Sequence, residues 1–500
     1  MALVVEKISG VDAPASALTI LERLRDAGHT AYICGGAVRD FLMGRQPRDW
    51  DIATDAVPER VAAILDGAAG IIPIGRAFGV LLAVMDGRNH EIAAFRSESG
   101  YADGRRPGLV RFSDPASDAQ RRDFTVNALF YDPQASEILD YVGGLADLRD
   151  RRLRAVGVPA ERFREDHLRL LRAVRFAART GFDIDPATWQ ATVELAPLAA
   201  RTSAERQAAE LEAMLLGGSA RRSFELMADS GLLAVILPEA DRLRGVEQPP
   251  EFHPEGDVWV HTLAMLGLFD AAMNGDWARS VACAPAAVPE NPDAGMTPST
   301  LSAGERAAQA RALYAGFGDD ARRALAWAVL LHDLGKPDTL TREDRIRFSN
   351  HDRLGAAMAD ALLERLRRPR ALRETASDLI ARHMHFASLR KMRAAKLRRW
   401  LSEPTFGLHW ELHRLDCESS HGMLSNWAFG GEAWRAEQAR PPPPKPLVGG
   451  RDLLDMGVRP GPEVGHWLRA AEDARLEGLF STREEALQWL RRARRLAAAP

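Results

Sequence analysis

The spacing of the apolar residues changes near residue 150, and this change restricts the chain to a fold in which a part with β-strands is followed by a helical part. Before it, short apolar runs such as AYICGG and WDIAT alternate with turn residues, which is typical of β-strands. From ERFREDHLRLLRAVRFAART onward, almost every apolar pattern has helical spacing. The sequence therefore predicts an α+β fold, with a small α/β head followed by an all-helical remainder.

Length and composition divide the chain further. With 500 residues and 46% hydrophobic content, it is too long for a single core. Residues 284–304 are rich in Pro, Ala and Ser without a period, which predicts a mobile insertion, and RPPPPKPLVGG predicts an extended spacer. We predict a head at 1–150, a helical neck at 151–240, a helical domain at 241–440 with an insertion near 274–320, and a spacer with a helical tail at 441–500.

Composition argues against several classes of protein. The chain has no apolar run long enough to span a membrane and no secretory signal at its start, so we expect a cytoplasmic protein without a membrane partner. Three scattered cysteines predict neither a disulfide nor a zinc site. The net charge of -3 does not by itself indicate a nucleic-acid partner, although arginine clusters recur, as at 390–400.

A candidate site begins where the AYICGG strand ends. Asp49 and Asp51 lie two residues apart in a strand-like segment, so their side chains should point to the same side. Paired carboxylates hold one or two Mg²⁺ ions together with substrate phosphates. Gly35 and Gly36 let backbone N–H groups approach a phosphate, and Arg39 adds a permanent cation. The stretch predicts a nucleoside triphosphate site, with a solvated turn as the alternative interpretation of Asp-x-Asp.

Six motifs between about residues 15 and 240 occur in the order found in one family. They are GGAVRD, RDWDIAT, RRDFTVNA, DYVGGLADLRDRRLRAVG, EDHLRLLRAVRFAAR and SAERQAAEL. Together they resemble the bacterial tRNA nucleotidyltransferases and the related poly(A) polymerases, whose head is a polymerase-β-like nucleotidyltransferase domain. The resemblance implies that Asp49 and Asp51 are catalytic and bind magnesium.

The same resemblance assigns other residues of the head. Gly36, Arg39 and Arg122 match nucleotide-binding positions, and Asp123 is expected near the ribose. Glu91, in the HEIAAFR strand, is either a third carboxylate of the site or a solvated strand residue.

A helix predicted from Glu165 carries charged residues at regular intervals. Asp166, Arg169, Arg172 and Arg175 recur every three residues on one flank, and Leu168, Leu171, Val174 and Ala178 form the other. A carboxylate accepts from an exocyclic amine and an arginine donates to ring acceptors, so Asp166 and Arg169 can imitate a pairing edge for cytosine or adenine. The resemblance implies that these two residues select CTP and ATP, with Arg172 and Arg175 near the nucleotide. A solvated helix face is the alternative.

Histidines and aspartates collect in the second half of the chain. They are His261, His332, Asp333, His351, His383 and Asp416. Imidazole and carboxylate are ligands of transition metals that activate water. The LLHDLGKP motif resembles the HD superfamily of metal-dependent phosphohydrolases. This resemblance implies that His261, His332, Asp333 and Asp416 bind a metal, and that His351 and His383 lie near a second ion or a phosphate. Some relatives hydrolyse phosphate esters, including 2′,3′-cyclic ones.

The resemblance as a whole implies an enzyme that adds C, C and A to the 3′ end of tRNA from CTP and ATP. Mg²⁺ is its expected cofactor, and no obligate protein partner is evident. A poly(A) polymerase, or a partial enzyme that adds only CC or only A, shares the motifs and is the alternative. Another hypothesis makes the head a degenerate RNA-binding module and the HD part a phosphodiesterase. The long insertion between His261 and His332 leaves the activity and the transition metal of the HD site open, and the sequence leaves open the oligomeric state and the role of residues 447–500.

Overall fold

The computed structural model describes residues 3–47, 49–75, 79–100, 104, 108–281, 301–440 and 446–497. The chain forms two compact units. The first unit is Met1–Asp241 with Arg365–Arg367, and the second unit is Arg242–Glu364 with Arg368–Pro500. Residues 284–300 of the predicted insertion and residues 441–445 of the predicted spacer lie outside the described residues.

An eight-stranded mixed sheet forms the centre of the first unit. The strands of this unit are β1 (Val4–Lys7), β2 (Ala31–Cys34), β3 (Asp51–Thr54), β4 (Gly70–Gly75), β5 (Val80–Met85), β6 (Arg88–Ala94), β7 (Arg96–Ser99), β8 (Leu109–Phe112), β9 (Phe130–Asp132), β10 (Glu137–Asp140), β11 (Arg152–Leu153) and β12 (Asp183–Ile184). The order in the large sheet is β1-β10-β9-β2-β3-β6-β5-β4. In it β3 and β6 run parallel, and the other neighbouring strands are antiparallel.

The central strands of this sheet are buried on both faces. Successive strand residues point to opposite sides, so Ile52 of β3 belongs to one apolar cluster and Ala53 belongs to another. β2 and β3 pair with Cys34 opposite Asp51. The end of β3 that carries Asp51 is therefore held beside the glycines that follow β2.

Helices surround the sheet and continue into the neck. They are α1 (Ala15–Asp26), α2 (Gly36–Leu42), α3 (Pro58–Ile64), α4 (Pro115–Arg121), α5 (Gly144–Arg149), α6 (Pro159–Glu165), α7 (Leu168–Thr180), α8 (Pro186–Leu195), α9 (Ala204–Leu216), α10 (Ala220–Asp229), α11 (Leu232–Ile236) and α12 (Pro238–Asp241). α7 packs against α9 and α10. Its predicted apolar flank is buried at Leu168, Leu171, Val174 and Ala178.

The single helix predicted from Glu165 is wrong, because the structure breaks it. α6 ends at Glu165, and Asp166 then has an extended backbone with φ -140° and ψ 106°. The Asp166 carboxylate accepts a hydrogen bond from the backbone N–H of Leu168 at 3.1 Å, as at a helix start. A short aspartate side chain competes for backbone donors in this way, which favours a break over a helix interior.

In the parts of the second unit that the structure describes, the regular elements are helices and one β-hairpin. Its elements are α13 (Val258–Met273), α14 (Ala303–Gly316), α15 (Asp319–Leu331), α16 (Lys336–Thr339), β13 (Leu340–Arg342), β14 (Ile346–Phe348), α17 (His351–Arg365), α18 (Arg370–Arg382), α19 (Ala394–Leu401), α20 (Phe406–Ser419), α21 (Ser425–Gln438), α22 (Gly450–Asp455), α23 (Pro462–Leu476) and α24 (Arg483–Ala497). The β13–β14 and β11–β12 pairs correct the all-helical expectation, because ladders of two or three residues are too short to show a period of two. Among the described residues, no helix has both the length and the apolar character that crossing a bilayer requires.

Candidate active site

A cavity of about 700 Å³ opens in the first unit beside the ends of β2 and β3. Its wall includes all eleven residues predicted to bind the catalytic metal or the nucleotide, which are Gly35, Gly36, Arg39, Asp49, Asp51, Arg122, Asp123, Asp166, Arg169, Arg172 and Arg175. Glu91 lines the same cavity. The predicted head and neck thus contribute to a single cavity.

Three carboxylates lie together at one part of the wall. Asp51 begins β3, and Asp49 precedes this strand and is exposed. In the parallel pairing of β3 with β6, Ile52 lies opposite Ile92, so the preceding residues Asp51 and Glu91 are also neighbours. Burial, together with the charges of Glu91 and Asp49, raises the pKa of Asp51 to about 6. Mutually repelling carboxylates with oxygen donors fit a divalent cation, which would neutralise them.

The turn at Gly35 and Gly36 exposes its main chain to the cavity, because neither residue has a side chain that would separate it from the nearby arginines. Gly35 has φ 72°, a conformation that other residues rarely adopt, and a Cβ there would lie 3.1 Å from Nη1 of Arg122. Arg39 on α2 is buried. It donates to Oδ1 of Asp40 at 2.8 and 2.5 Å and to Oδ1 of Asn127 at 2.5 Å, so its guanidinium is fixed beside the turn.

Asp123 joins the head to the neck across the cavity. Arg172 of α7 donates through Nε and Nη2 to Oδ2 of Asp123 at 2.8 and 2.6 Å. Burial raises the pKa of Asp123, but the contact with Arg172 outweighs burial and brings the pKa down to about 2. Arg122 donates to Asp118 at 3.0 Å. The nucleotide-binding residues predicted from RRDFTVNA therefore stay charged at neutral pH.

Phe176 is a cavity residue that the sequence reasoning missed. The guanidinium carbons of Arg39, Arg172 and Arg175 lie 5.2, 5.0 and 4.2 Å from the centre of its ring. These are the distances of cation–π contacts, so the ring holds cations from two elements in place. The sequence gives no separate signal for it, because an apolar residue at this position of α7 is also explained by packing.

Arg206 on α9 is a second missed residue. Its Nη1 and Nη2 donate to the two carboxylate oxygens of Asp166 at 3.0 and 2.8 Å. Arg169 donates to Glu165 at 2.7 Å and to two main-chain oxygens at 2.9 Å. Asp166 and Arg169 therefore reach the same cavity, each held by its own partner. Arg206 lies in the SAERQAAEL motif, but only the tertiary structure pairs it with Asp166.

A second group of side chains meets inside the second unit. His261 lies on α13, His332 and Asp333 follow α15, His351 begins α17, His383 follows α18, and Asp416 lies on α20. The ligand atoms form two triads, with His261, His332 and Asp416 in one and Asp333, His351 and His383 in the other. The sequence hypothesis placed Asp333 with the first set. Its Oδ2 lies 3.2 Å from Nε2 of His332, so Asp333 connects the two triads.

Three of these histidines are oriented by the main chain. Nδ1 of His332, His351 and His383 binds the carbonyl oxygen of Val329, Phe348 and Ile380 at 3.1, 2.8 and 2.7 Å. A ring that donates from Nδ1 keeps a lone pair on Nε2 for a metal. Nε2 of His261 and Nε2 of His332 are buried, and each lies 3.2 Å from a carboxylate oxygen, of Asp416 and Asp333 respectively. Imidazole nitrogens and carboxylate oxygens thus converge within 4.8 Å of one another in each triad, and this donor set fits a transition-metal ion.

Three protein-family models match separate parts of the chain. The "Poly A polymerase head domain" matches residues 31–154, the "Probable RNA and SrmB- binding site of polymerase A" matches residues 181–243, and the "HD domain" matches residues 304–405. The first match contains the three carboxylates and the glycine turn. The third contains His332, Asp333, His351 and His383.

Curated proteins with similar sequences are named CCA-adding enzymes. The one from Bacillus licheniformis is 38% identical over 258 residues, which is 50% of this chain. The one from Streptococcus suis is 43% identical over 260 residues, again 50% of this chain. In both cases the match spans 64% of the relative's own length.

Solved structures extend the comparison to nearly the whole chain. The CCA-adding enzyme of Bacillus stearothermophilus in complex with CTP has a TM-score of 0.63 and 26% identity, covering 96% of this chain and 98% of that one. The Thermotoga maritima CCA-adding enzyme complexed with tRNA has a TM-score of 0.55 at 17% identity over 98% of this chain and 99% of that one, a likeness of fold alone. The family predicted from the motifs is confirmed. This chain carries a poly(A) polymerase head domain, a polymerase A RNA-binding segment and an HD domain in that order along the sequence, and it is similar to bacterial CCA-adding enzymes.

Proposed function

We propose that this chain adds C, C and A to the 3′ end of tRNA, using CTP and ATP and releasing pyrophosphate. One observation carries the proposal, namely that a single cavity joins the Asp49–Asp51 pair to the Asp166–Arg169 pair. The first pair suits phosphoryl chemistry and the second suits a base edge, so the cavity can hold both ends of a nucleoside triphosphate. The similarity to CCA-adding enzymes supports the same activity.

In this proposal Asp49 and Asp51 hold two Mg²⁺ ions, with Glu91 as a further oxygen donor. When bound, such ions activate the attacking hydroxyl and neutralise the leaving group. The terminal 3′-hydroxyl of the tRNA attacks the α-phosphorus in line and gives up its proton to water. The O3′–P bond forms while the bond from the α-phosphorus to the bridging oxygen breaks, and pyrophosphate leaves. By holding the ions in place, the carboxylates would keep the attacking 3′ oxygen and the leaving bridging oxygen in line with the α-phosphorus. Such positioning is the larger part of catalysis in phosphoryl transfer.

The remaining cavity residues orient the nucleotide. The main chain at Gly35 and Gly36, together with the cations Arg39 and Arg122, suits the triphosphate. Asp123, held by Arg172, suits the ribose hydroxyls.

Asp166 and Arg169 provide the acceptor and donors for the base. An acceptor at Asp166 favours cytosine and adenine, which carry an exocyclic amine, over uracil and guanine, which do not present one at that position.

The RNA substrate would be bound through its phosphates and recognised by its shape. Basic helical surfaces provide contacts to phosphates, whose strength falls as the salt concentration rises. Double-stranded RNA is read mostly by shape because its deep groove is closed to side chains. A cytoplasmic location, where tRNA is matured, is part of the same proposal.

Feeding the purified protein one triphosphate at a time tests this function. With tRNA that lacks its CCA end, we expect CTP alone to add two residues, ATP alone to add none, and both together to restore the complete end. Product length is read at single-nucleotide resolution on a gel. Incorporation of ATP alone onto arbitrary RNA ends would establish a poly(A) polymerase instead, and products that stop after CC, or that require a CC end, would establish a partial enzyme.

A second activity, metal-dependent hydrolysis of phosphate esters, is favoured by the geometry of the second unit. A cavity of about 510 Å³ reaches Asp333, His351, His383 and Asp416. The same wall contains Lys336, whose Nζ lies 2.7 Å from Oδ2 of Asp333. Metal ligands beside a lysine suit water activation next to a phosphate.

Replacing His332 with alanine separates the two activities. We expect His332→Ala to abolish hydrolysis of 2′,3′-cyclic AMP, because the buried Nε2 ligand is lost, and to leave CCA addition at the wild-type rate. Both rates are measured on one preparation, with the exposed His466→Ala as the control variant. Unchanged hydrolysis would remove the second activity from this site, and lost CCA addition would contradict the independence of the two activities.

A further inference from the structure

Among the four histidines of the two triads in the second unit, His261 has a different partner for its Nδ1 atom. The rings of His332, His351 and His383 bind main-chain carbonyls, whereas Nδ1 of His261 lies 2.7 Å from Oε1 of Glu255. The hydroxyl of Ser419 also approaches this Nδ1, but only at 3.5 Å, the limit of a hydrogen bond. Glu255 is therefore the main partner of Nδ1 in the His261 ring.

The position of Glu255 suits this purpose. It lies six residues before His261, in the segment that leads into α13, and its side chain is only 10% exposed. The same Oε1 lies 2.9 Å from Nδ1 of His253, and the rings of His253 and His261 meet edge to face at 4.9 Å between their centres. Nε2 of His261 then points away from the carboxylate, 3.2 Å from Oδ1 of Asp416.

We propose that Glu255 is a positioning residue that selects the Nδ1–H tautomer of His261 and so presents Nε2 to the metal of the HD site. A carboxylate behind a ligating histidine fixes the ring and makes its free nitrogen a stronger donor than a carbonyl does. His253 is the second donor to the same oxygen, and it lines the neighbouring cavity. This inference rests on the metal binding proposed for the second unit.

A cobalt titration of the full-length protein tests Glu255 directly. Excess Mg²⁺ keeps the hard carboxylates of the first unit occupied, while Co²⁺ prefers imidazole. Calorimetry gives the dissociation constant, and the d–d absorption bands of Co²⁺ report on its ligands independently of any enzymatic activity. For Glu255→Gln we expect the dissociation constant to rise roughly 10- to 100-fold and the bands to shift, because the neutral amide binds the imidazole N–H less strongly.

Two controls separate positioning from general structure. Asp257 caps α13 by accepting from the backbone N–H of Val260 at 2.8 Å, so Asp257→Ala should lower the melting temperature of the metal-free protein and leave the Co²⁺ affinity unchanged. His253→Ala removes the other donor to Glu255 and should also keep the wild-type affinity. The metal-free Glu255→Gln protein should melt at the wild-type temperature.

The outcomes distinguish the positioning role of Glu255 from the metal binding on which it depends. Wild-type affinity and wild-type bands in Glu255→Gln would overturn the positioning role while leaving the metal site intact. Failure of the wild-type protein itself to bind Co²⁺ would remove the proposed metal site, and the role of Glu255 with it. A weakened affinity in His253→Ala equal to that in Glu255→Gln would show that the ring pair, not the carboxylate, orients the ligand.

Discussion

Replacing both Asp49 and Asp51 with alanine is expected to lower kcat/KM for CTP addition by roughly 10³-fold or more. The ions that these carboxylates would hold stabilise the transition state by several kcal/mol, and each ~1.4 kcal/mol corresponds to a factor of ten. The measurement is single-turnover incorporation of labelled CMP into tRNA that lacks its CCA end.

The neighbouring carboxylate Asp55 provides the control. It follows β3 directly and accepts a hydrogen bond from the backbone N–H of Thr30 at 3.1 Å at the protein surface, outside the cavity. Asp55→Ala should therefore keep wild-type addition. Addition at the normal rate by the double variant would refute the metal assignment of Asp49 and Asp51.

The single variant Asp51→Asn tests the repulsion among the carboxylates of Asp49, Asp51 and Glu91 through protein stability. Because the folded pKa of Asp51 is raised from 3.8 to about 6, its contribution to stability is fully present below pH 4 and is lost as the pH rises to about 6. Asparagine carries no charge, so the variant should lack this loss. Without divalent ions at pH 7.5, we expect it to be more stable by on the order of 1–3 kcal/mol. Calorimetric melting at pH 5 and pH 7.5 measures the difference, and an equal or lower melting temperature at pH 7.5 would contradict it.

Replacing Asp166 with alanine is expected to reduce kcat/KM for both CTP and ATP by roughly 5- to 150-fold, since a well-formed pair of base contacts is worth about 1–3 kcal/mol. The preference for these triphosphates over UTP and GTP should fall by a similar factor. The measurement is competition between CTP and UTP for one tRNA end, scored by the identity of the added nucleotide. An unchanged preference would show that the base is recognised elsewhere.

Arg206 offers a graded version of this experiment. It binds Asp166 through two hydrogen bonds, so Arg206→Ala leaves the acceptor present but free to rotate. We expect a smaller loss of base preference than in Asp166→Ala, together with a higher KM. Glu161→Ala, which removes an exposed carboxylate from α6, is the matched control and should change neither quantity.

The family and the fold class were accessible from the sequence because their signals are local. The β2 strand follows from the apolar run AYIC and β3 from the strand-like segment WDIAT. The glycine pair after β2 is visible in the sequence, and the structure shows that Gly35 adopts a positive φ there. The order of the six motifs then identified the family, which the family models confirm. The break at Asp166 was missed because the charged residues after it keep helical spacing, and the capping hydrogen bond to Leu168 has no periodic signature.

Side-chain partners were not accessible in the same way. Arg206 contacts Asp166 across 40 positions, and His261 lies 3.2 Å from Asp416 although α13 and α20 are far apart in the chain. Glu255 is close to His261 in sequence, yet a glutamate in a loop gives no sign of the ring that it will orient. These pairings depend on how whole helices pack, and the spacing of residues along one element carries no information about its neighbour.

The sequence by itself determined which elements form and which chemical groups they carry, because propensity, periodicity and turn geometry act over a few residues. The tertiary structure decided which of those groups meet. The parallel register of β3 and β6 brings Glu91 beside Asp51, and helix packing sorts the six HD residues into two triads connected by Asp333. Register and packing are set by burial of apolar surface over the whole unit, so they appear only once the chain has folded.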